Sequence, residues 1–326
     1  MQKTDSKLSE QIKIGNVTIK SKVVAAPLAG ITDSVLRDLV RKFSANCLLT
    51  TEMISSEALN QNRKGFVTER SDTQTPVAYQ ISGHKPDLMV KAAKMLEEKA
   101  DIIDINMGCP VNKVIKATDG CALMKNPELA AEIVKSVKEA VNVPVTCKFR
   151  LGTNSESINF VEFAVKMQEA GASAVCIHAR TRAQMYSGKA DYAAVAKLKG
   201  EIDIPYFING DITTPEIART ALEISGADGV AVGRGILGNP ELPGLIDEYL
   251  TTGQYSTKST ISKLEILKEH LNNEVKLRGE ENGLKFFRKF YAYYIKGVKN
   301  ASEFRYKLVT AEKHDEVLKI LNELEF

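Results

Sequence analysis

Eight short apolar runs, each followed by a stretch of helical period, constrain this chain more than any other feature. The runs begin near Val23 (VVAAP), Cys47 (CLLTTE), Thr75 (TPVAYQIS), Asp101 (DIIDIN), Val143 (VPVTCKFR), Ser173 (SAVCIH), Ile204 (IPYFIN) and Asp228 (DGVAV). Most are continuous rather than alternating, as parallel strands covered on both faces should be. Between them lie PDLMVKAAKMLEEKA, PELAAEIVKSVKEAV, NFVEFAVKMQEAG and TPEIARTALEISG, which read as amphipathic helices. Thr214-Pro215-Glu216 opens one helix with Pro at its first turn, and Gly171 and Gly226 close two. Eight such units predict a (β/α)8 TIM barrel; an open doubly wound sheet is the competing arrangement.

The polar residues decide between the two. Gln80 follows the third run, Asn106 and Cys109 the fourth, and Lys148 and Arg150 stand on the fifth. His178 and Arg180 follow the sixth, Asn209-Gly210-Asp211 the seventh and Gly233-Arg234-Gly235 the eighth. An open sheet would bring only the strands flanking its switch point to a ligand, whereas a barrel gathers every C-terminal strand end at one mouth. The 42 residues between the starts of the fourth and fifth runs include Cys109 and predict a functional loop or lid.

Composition narrows the class. The 326 residues are 44% apolar and 26% charged, which excludes a disordered or collagen-like chain. No stretch approaches the roughly 18–20 apolar residues of a membrane span, and MQKTDSKLSEQIKIG lacks the apolar core of a signal peptide. Five cysteines without a CxxC pair argue against a disulfide framework or structural zinc. No H-x-x-x-H or acid cluster suggests another metal. A cytoplasmic, monomeric, metal-free protein is the expectation.

Charge is unevenly placed. The first 254 residues hold 30 cations and 30 acids, and the remainder carries the whole net +3. Lys285 to Lys307 alone hold seven basic residues, one acid (Glu303) and eight of the chain's 21 Phe and Tyr. At 100° per residue, Lys285, Arg288, Lys289 and Lys296 share one helical face. Phe287, Phe290, Tyr291 and Tyr294 share the other, and Gly297 marks the stop. The expectation is a helix packed through its aromatic face, its uninterrupted basic face turned outward toward a polyanion.

Gly233 to Gly238 spell G-x-G-x-x-G, but after the last strand, so a phosphate cradle after strands seven and eight fits better than a Rossmann turn. Arg234 would add a charged clamp. Lys148 and Arg150, two apart on a strand, share a face, and two cations in a barrel mouth call for an anion or a salt bridge. An anionic reduced flavin is one such partner. Cys109, in Asn106-Met107-Gly108-Cys109-Pro110, lies in an exposed turn, with Cys121 its main rival. A thiol with a pKa of about 8.5 is mostly protonated at neutral pH and can serve as a general acid. Cys47, Cys147 and Cys176 lie in apolar runs and read as packing.

These residues resemble a known family. PLAGITD (27–33), NMGCP (106–110), KFR (148–150), HARTR (178–182) and NGD (209–211) occur in the order of the tRNA-dihydrouridine synthases, most like the bacterial B branch. The resemblance runs from about Val23 to the C-terminus, including FFRKFYAYYIKG. It implies an FMN-binding barrel catalytic domain over 1–250 and a small all-helical tRNA-binding domain over 255–326. The implied reaction reduces the C5–C6 double bond of a uridine in tRNA, with NADPH as reductant and Cys109 as proton donor. Pro27, Leu28, Ala29, Gln80, Lys148 and His178 would bind the flavin; Asn209, Gly210, Asp211, Gly233 and Arg234 would take its ribityl chain and phosphate. Asn106, Arg150 and Tyr186 would contact the uracil, and Lys285, Arg288 and Lys289 the tRNA. The sequence departs from the pattern in Lys116-Ala117-Thr118-Asp119-Gly120-Cys121, less glycine-rich than usual, and in Phe290, where a histidine is common. Two rival readings are a free-pyrimidine flavoenzyme resembling dihydroorotate dehydrogenase, disfavoured by the basic tail, and a non-catalytic RNA-binding barrel, disfavoured by an intact Cys109 and phosphate loop.

Overall fold

The computed structural model describes residues 11–63, 65–111, 114, 118–256 and 261–325. Lys116 and Ala117, and the polar first ten residues, lie outside them. An antiparallel hairpin, β1 (Ile12–Ile14) and β2 (Val17–Ile19), leads into the barrel. The strands β3 (Val23–Ala25), β4 (Leu48–Thr50), β6 (Val77–Ser82), β7 (Ile102–Met107), β8 (Val145–Arg150), β9 (Ala174–His178), β10 (Tyr206–Asn209) and β11 (Gly229–Val232) pair in parallel. The ring closes through Val23↔Val230 and Leu49↔Val77. The two-residue β5 (Ile54–Ser55) adds a parallel fringe to β6. The eight predicted runs are the eight barrel strands, and the open sheet is excluded by closure.

Each barrel strand feeds a helix: α1 (Ser34–Phe43), α2 (Ser56–Asn60), α3 (Pro86–Leu96), α4 (Pro127–Ala140), α5 (Phe160–Glu169), α6 (Tyr192–Val195), α7 (Pro215–Ser225) and α8 (Leu242–Thr252). Local chemistry sets their ends. Thr214 accepts from the Ile217 amide at the start of α7, and Gly226 ends it in the left-handed region. Asp33 caps α1 through the Leu36 amide. Burial extends along both faces of most strands because helices cover the outside and the barrel fills its own inside. At the N-terminal end Ile12, Ile14 and Ile19 of the hairpin plug the interior against Val24, Leu48, Ile102 and Phe207. The hairpin therefore leaves only the C-terminal strand ends accessible.

The tail is helical: α9 (Lys263–Arg278), α10 (Glu280–Tyr294), α11 (Ala301–Thr310) and α12 (His314–Asn322). Ser262 and Glu265 form a reciprocal capping box at the start of α9. Phe287, Phe290, Tyr291 and Tyr294 are buried as their spacing predicts, around a buried His270 that lies 4.6 Å from the Phe290 ring. The opposite face departs from expectation. Lys285 pairs with Glu281 at 2.5 Å, an acid one turn earlier that the uninterrupted basic face left out of account. Lys289 reaches back to the Gly30 carbonyl on the barrel rim and sits 3.3 Å above the Phe286 ring, so this helix does touch the mouth. Arg288 is half-buried.

Candidate active site

The mouth is assembled from the ends of β6 to β11 and the loop after β3. Its floor is a small apolar chamber lined by Ala26, Ala78, Ala174 and Ala231, with Asp104, Lys148 and Cys176 projecting into it. Small residues on or just after four of the strands leave room where bulky ones would fill the barrel axis.

Lys148 is half-buried, and its Nζ donates to Asn209 Oδ1 at 3.0 Å. Burial lowers its pKa, with Arg150 adding to the effect while Cys176 and Asp104 oppose it. Among the described residues no carboxylate lies within ion-pair distance of Lys148, so the salt-bridge reading of this cation fails. A half-buried cation whose neighbouring carboxyl, Asp104, stands beyond ion-pair distance suits a site that takes an anion. His178 ends β9 with its ring 6.3 Å from Tyr186. Burial first, then the cations Lys148, Arg150, Arg180 and Arg234, push it far below the ordinary histidine range, so it is a neutral imidazole.

The residues expected to cradle a phosphate come together at the mouth, with one change of part. Gly210, Asp211, Gly233 and Arg234 meet after β10 and β11. The Asp211 carboxylate accepts from Arg180 Nη2 at 2.6 Å and the Ala190 amide at 3.0 Å, and faces Arg234 at 3.5 Å. Partial burial opposes its charge, yet these donors hold it below the usual carboxylate range. Asp211 thus orders two arginines; its side chain is not a group that would take a phosphate. Arg234 remains half-exposed, 4.7 Å from the Tyr186 ring. A Cβ at Gly210 would come within 2.8 Å of Ala190 and 3.3 Å of His178, so this approach requires glycine. The residues present fit a flavin: a glycine turn beside a half-exposed arginine, a neutral imidazole, and a cation over an apolar floor. Pro27, Leu28 and Ala29 form the adjacent wall, with the Leu28 amide donating to Thr32 Oγ1 at 3.0 Å.

Cys109 stands above β7, half-buried, its amide donating to Asn106 Oδ1 at 3.0 Å. Burial raises the thiol's pKa, although Arg150 lowers it, so the thiol stays protonated at neutral pH. Cys121 is buried, pushed up to about 11, and directs its sulfur toward Met124 at 3.9 Å. The rival thiol is therefore packed away. Arg150 is also committed: it donates to the Gly108, Thr181 and Met185 carbonyls at 2.9, 3.0 and 2.9 Å, bracing the loops that carry Cys109 and Tyr186. Tyr186 itself is exposed.

The third glycine of G-x-G-x-x-G has a different job from the first. Gly238, at φ 67°, lies so close to α10 that a Cβ would meet the Tyr293 backbone at 2.6 Å. It seats the tail, and the literal motif joins two unrelated demands.

A family model described as dihydrouridine synthase (Dus) matches residues 23–325. The chain belongs to the dihydrouridine synthase family. It is 41% identical over 303 residues to a probable tRNA-dihydrouridine synthase 1 of Synechocystis sp., covering 92% of this chain and 85% of that protein. It is 38% identical over 298 residues to tRNA-dihydrouridine synthase B of Pseudomonas aeruginosa, covering 90% of each. Among solved structures, a histamine dehydrogenase from Rhizobium sp. 4-9 superposes with a TM-score of 0.58 at 15% identity, over 82% of this chain and 51% of that one. An old yellow enzyme homologue from Zymomonas mobilis gives 0.52 at 14%, over 78% and 95%. At such identities the likeness is one of fold.

Two parts of this Dus-family mouth escaped the sequence reading. Asp104 is buried inside the barrel, accepting from Thr146 Oγ1 and Gln80 Nε2, each at 2.6 Å. An acid in the apolar run DIIDIN, two residues before Asn106 and hence on its face, was the available signal. Gln80, expected to face the cofactor, is fully buried with its amide committed to Asp104 and Asn106. The other is Glu52, which accepts from the Gly30 amide on the rim. No helix among the described residues is long and apolar enough to cross a membrane, and none of their His, Cys, Asp and Glu cluster as a metal site.

Proposed function

We propose that this chain is an FMN-dependent tRNA-dihydrouridine synthase, reducing the C5–C6 double bond of uridine in tRNA with NADPH as reductant. The observation that carries the reading is the pairing of a protonated, half-buried Cys109 thiol with the half-buried cation Lys148 in one mouth. Bound FMN would supply hydride for uracil C6. Cys109 Sγ would give its proton to C5, leaving a thiolate that Arg150 helps to stabilise before solvent reprotonates it. Asn106 fixes the Cys109 turn, and Tyr186 offers an exposed ring against which an extruded base can lie. Pro27, Leu28, Ala29, Lys148 and neutral His178 hold the ring system; the 209–211 and 233–234 backbone and Arg234 hold the ribityl phosphate. Residues 1–250 act as the catalytic barrel and 255–326 as the tRNA-docking domain, where Arg288 and Lys285 present charge and Lys289 also ties the tail to the rim.

The purified protein should be yellow; a colourless protein that cannot be reconstituted with FMN defeats the reading. Cys109→Ala should retain FMN and its reduction by NADPH, yet lose about 10²–10⁴-fold in dihydrouridine formation on tRNA, while Cys121→Ala stays active. The reverse pattern would reassign the acid.

A further inference from the structure

Cys109 is held at the end of a single chain of buried hydrogen bonds. Thr146 Oγ1 donates to Asp104 Oδ1 at 2.6 Å and Gln80 Nε2 to Asp104 Oδ2 at 2.6 Å. Asn106 Nδ2 donates to Gln80 Oε1 at 2.7 Å, and Asn106 Oδ1 accepts from the Cys109 and Gly108 amides at 3.0 and 3.2 Å. Every side chain in the series is buried. Strand register builds it: Gln80 faces Asp104 across β6–β7, and Asp104 faces Thr146 across β7–β8. Asp104 and Asn106 are two apart on β7 and so project to one side.

A row of amides can be satisfied in either direction, and only its ends choose. Both Asp104 oxygens accept here; burial raises the pKa of this carboxyl, while the Thr146 and Gln80 hydrogen bonds and then Lys148 oppose the rise. With Asp104 at one end, Gln80 must turn its NH2 inward and its oxygen toward Asn106. Asn106 must then give its NH2 to Gln80, which leaves its oxygen for the Cys109 amide. The opposite direction would set an NH2 against that N–H. Satisfying a glutamine needs only a neutral acceptor, whereas a buried carboxylate carries a desolvation cost. What the carboxyl supplies is an acceptor oxygen that fixes the direction of the row, which an amide carbonyl can share.

We propose that Asp104 is a positioning residue for the reaction, setting the direction of the Gln80–Asn106 amide pair and thereby aiming the Cys109 turn. The inference rests on Cys109 as proton donor, and its test separates the two. In the holoenzyme, reduced before mixing with saturating tRNA, Asp104→Leu should lower the single-turnover rate of dihydrouridine formation at least tenfold. KM for tRNA and the rate of flavin reduction by NADPH should change less than twofold. Asp104→Asn, which can still turn a carbonyl to Gln80, should stay within about threefold of the parent. Iodoacetamide should label Cys109 at least threefold faster in Asp104→Leu than in Asp104→Asn, as read by peptide mass spectrometry. If Asp104→Leu does not fold, the smaller Asp104→Ala serves in the same assays. A parental single-turnover rate in the Leu or Ala variant overturns the proposal, as does an Asn variant as impaired as they are. Activity in Cys109→Ala would remove the proton-donor reading alone, since labelling still reports whether Asp104 holds the turn.

Discussion

Two regions of this molecule bury carboxylates, and they do so in opposite ways. In the mouth, Asp104 takes its hydrogen bonds from neutral donors on adjacent strands, Thr146 and Gln80, at distances fixed by barrel register. At the seam between barrel and tail, Asp33 of the barrel and Glu274 of α9 are both fully buried. Arg278 bridges them, donating to Glu274 at 2.7 Å and to Asp33, while Lys289 reaches the neighbouring Gly30 carbonyl. Phe286 supports both cations, with Arg278 3.6 Å and Lys289 3.3 Å from its ring. Neutral donors compensate a charge wherever the strands pair. Cations borrowed from another domain compensate it only while that domain is docked. The Asp104 network is thus fixed by the barrel alone, and the seam makes rim geometry conditional on the tail.

The largest effect should come from removing the bridging cation. Arg278→Met leaves two like charges buried and should lower stability by about 3–5 kcal/mol, measured by denaturant unfolding. Adding Asp33→Asn and Glu274→Gln should restore much of that loss. A single variant as stable as the parent would mean that the seam opens to water and the comparison fails.

Acid should sharpen the contrast next. Burial first, and then the charge of Glu274, push Asp33 up to about 6. Folding raises this pKa, so its stabilising contribution is complete below about pH 4 and is lost as pH rises through about 6. Asp33→Asn should flatten stability against pH across that window by on the order of 2–3 kcal/mol. An unchanged slope would place the titration elsewhere.

Thr146→Val tests the mouth. It removes one donor to a buried carboxylate and should cost about 1.5–3 kcal/mol, with the tail docking and tRNA affinity unaltered. A fall in tRNA affinity would show that the two regions are not separate.

The smallest effect belongs to Lys285→Gln. Its partner Glu281 is exposed, so the unfolding midpoint should not move. The salt dependence of tRNA binding should flatten by less than one phosphate contact, because Glu281 already offsets part of the charge. A full unit of slope would mean that phosphate displaces Glu281.

Periodicity and residue order were enough to determine the barrel, its eight strands and the helical tail, because parallel strands buried on both faces must be continuously apolar and helices must repeat at 3.6. The same alternation placed Lys148, Arg150 and His178 at the mouth. Prolines and glycines marked α7 and the Gly210 turn, where backbone geometry admits few residues. What tertiary structure alone decided was partnership. That Asp211 orders arginines, that Gln80 and Asp104 are one chain, that Cys121 is packed away, and that Lys289 points at Gly30 259 positions earlier all depend on which atoms meet. Side-chain type sets what a group can donate or accept; only the closed ring and the docked tail determine what stands opposite it.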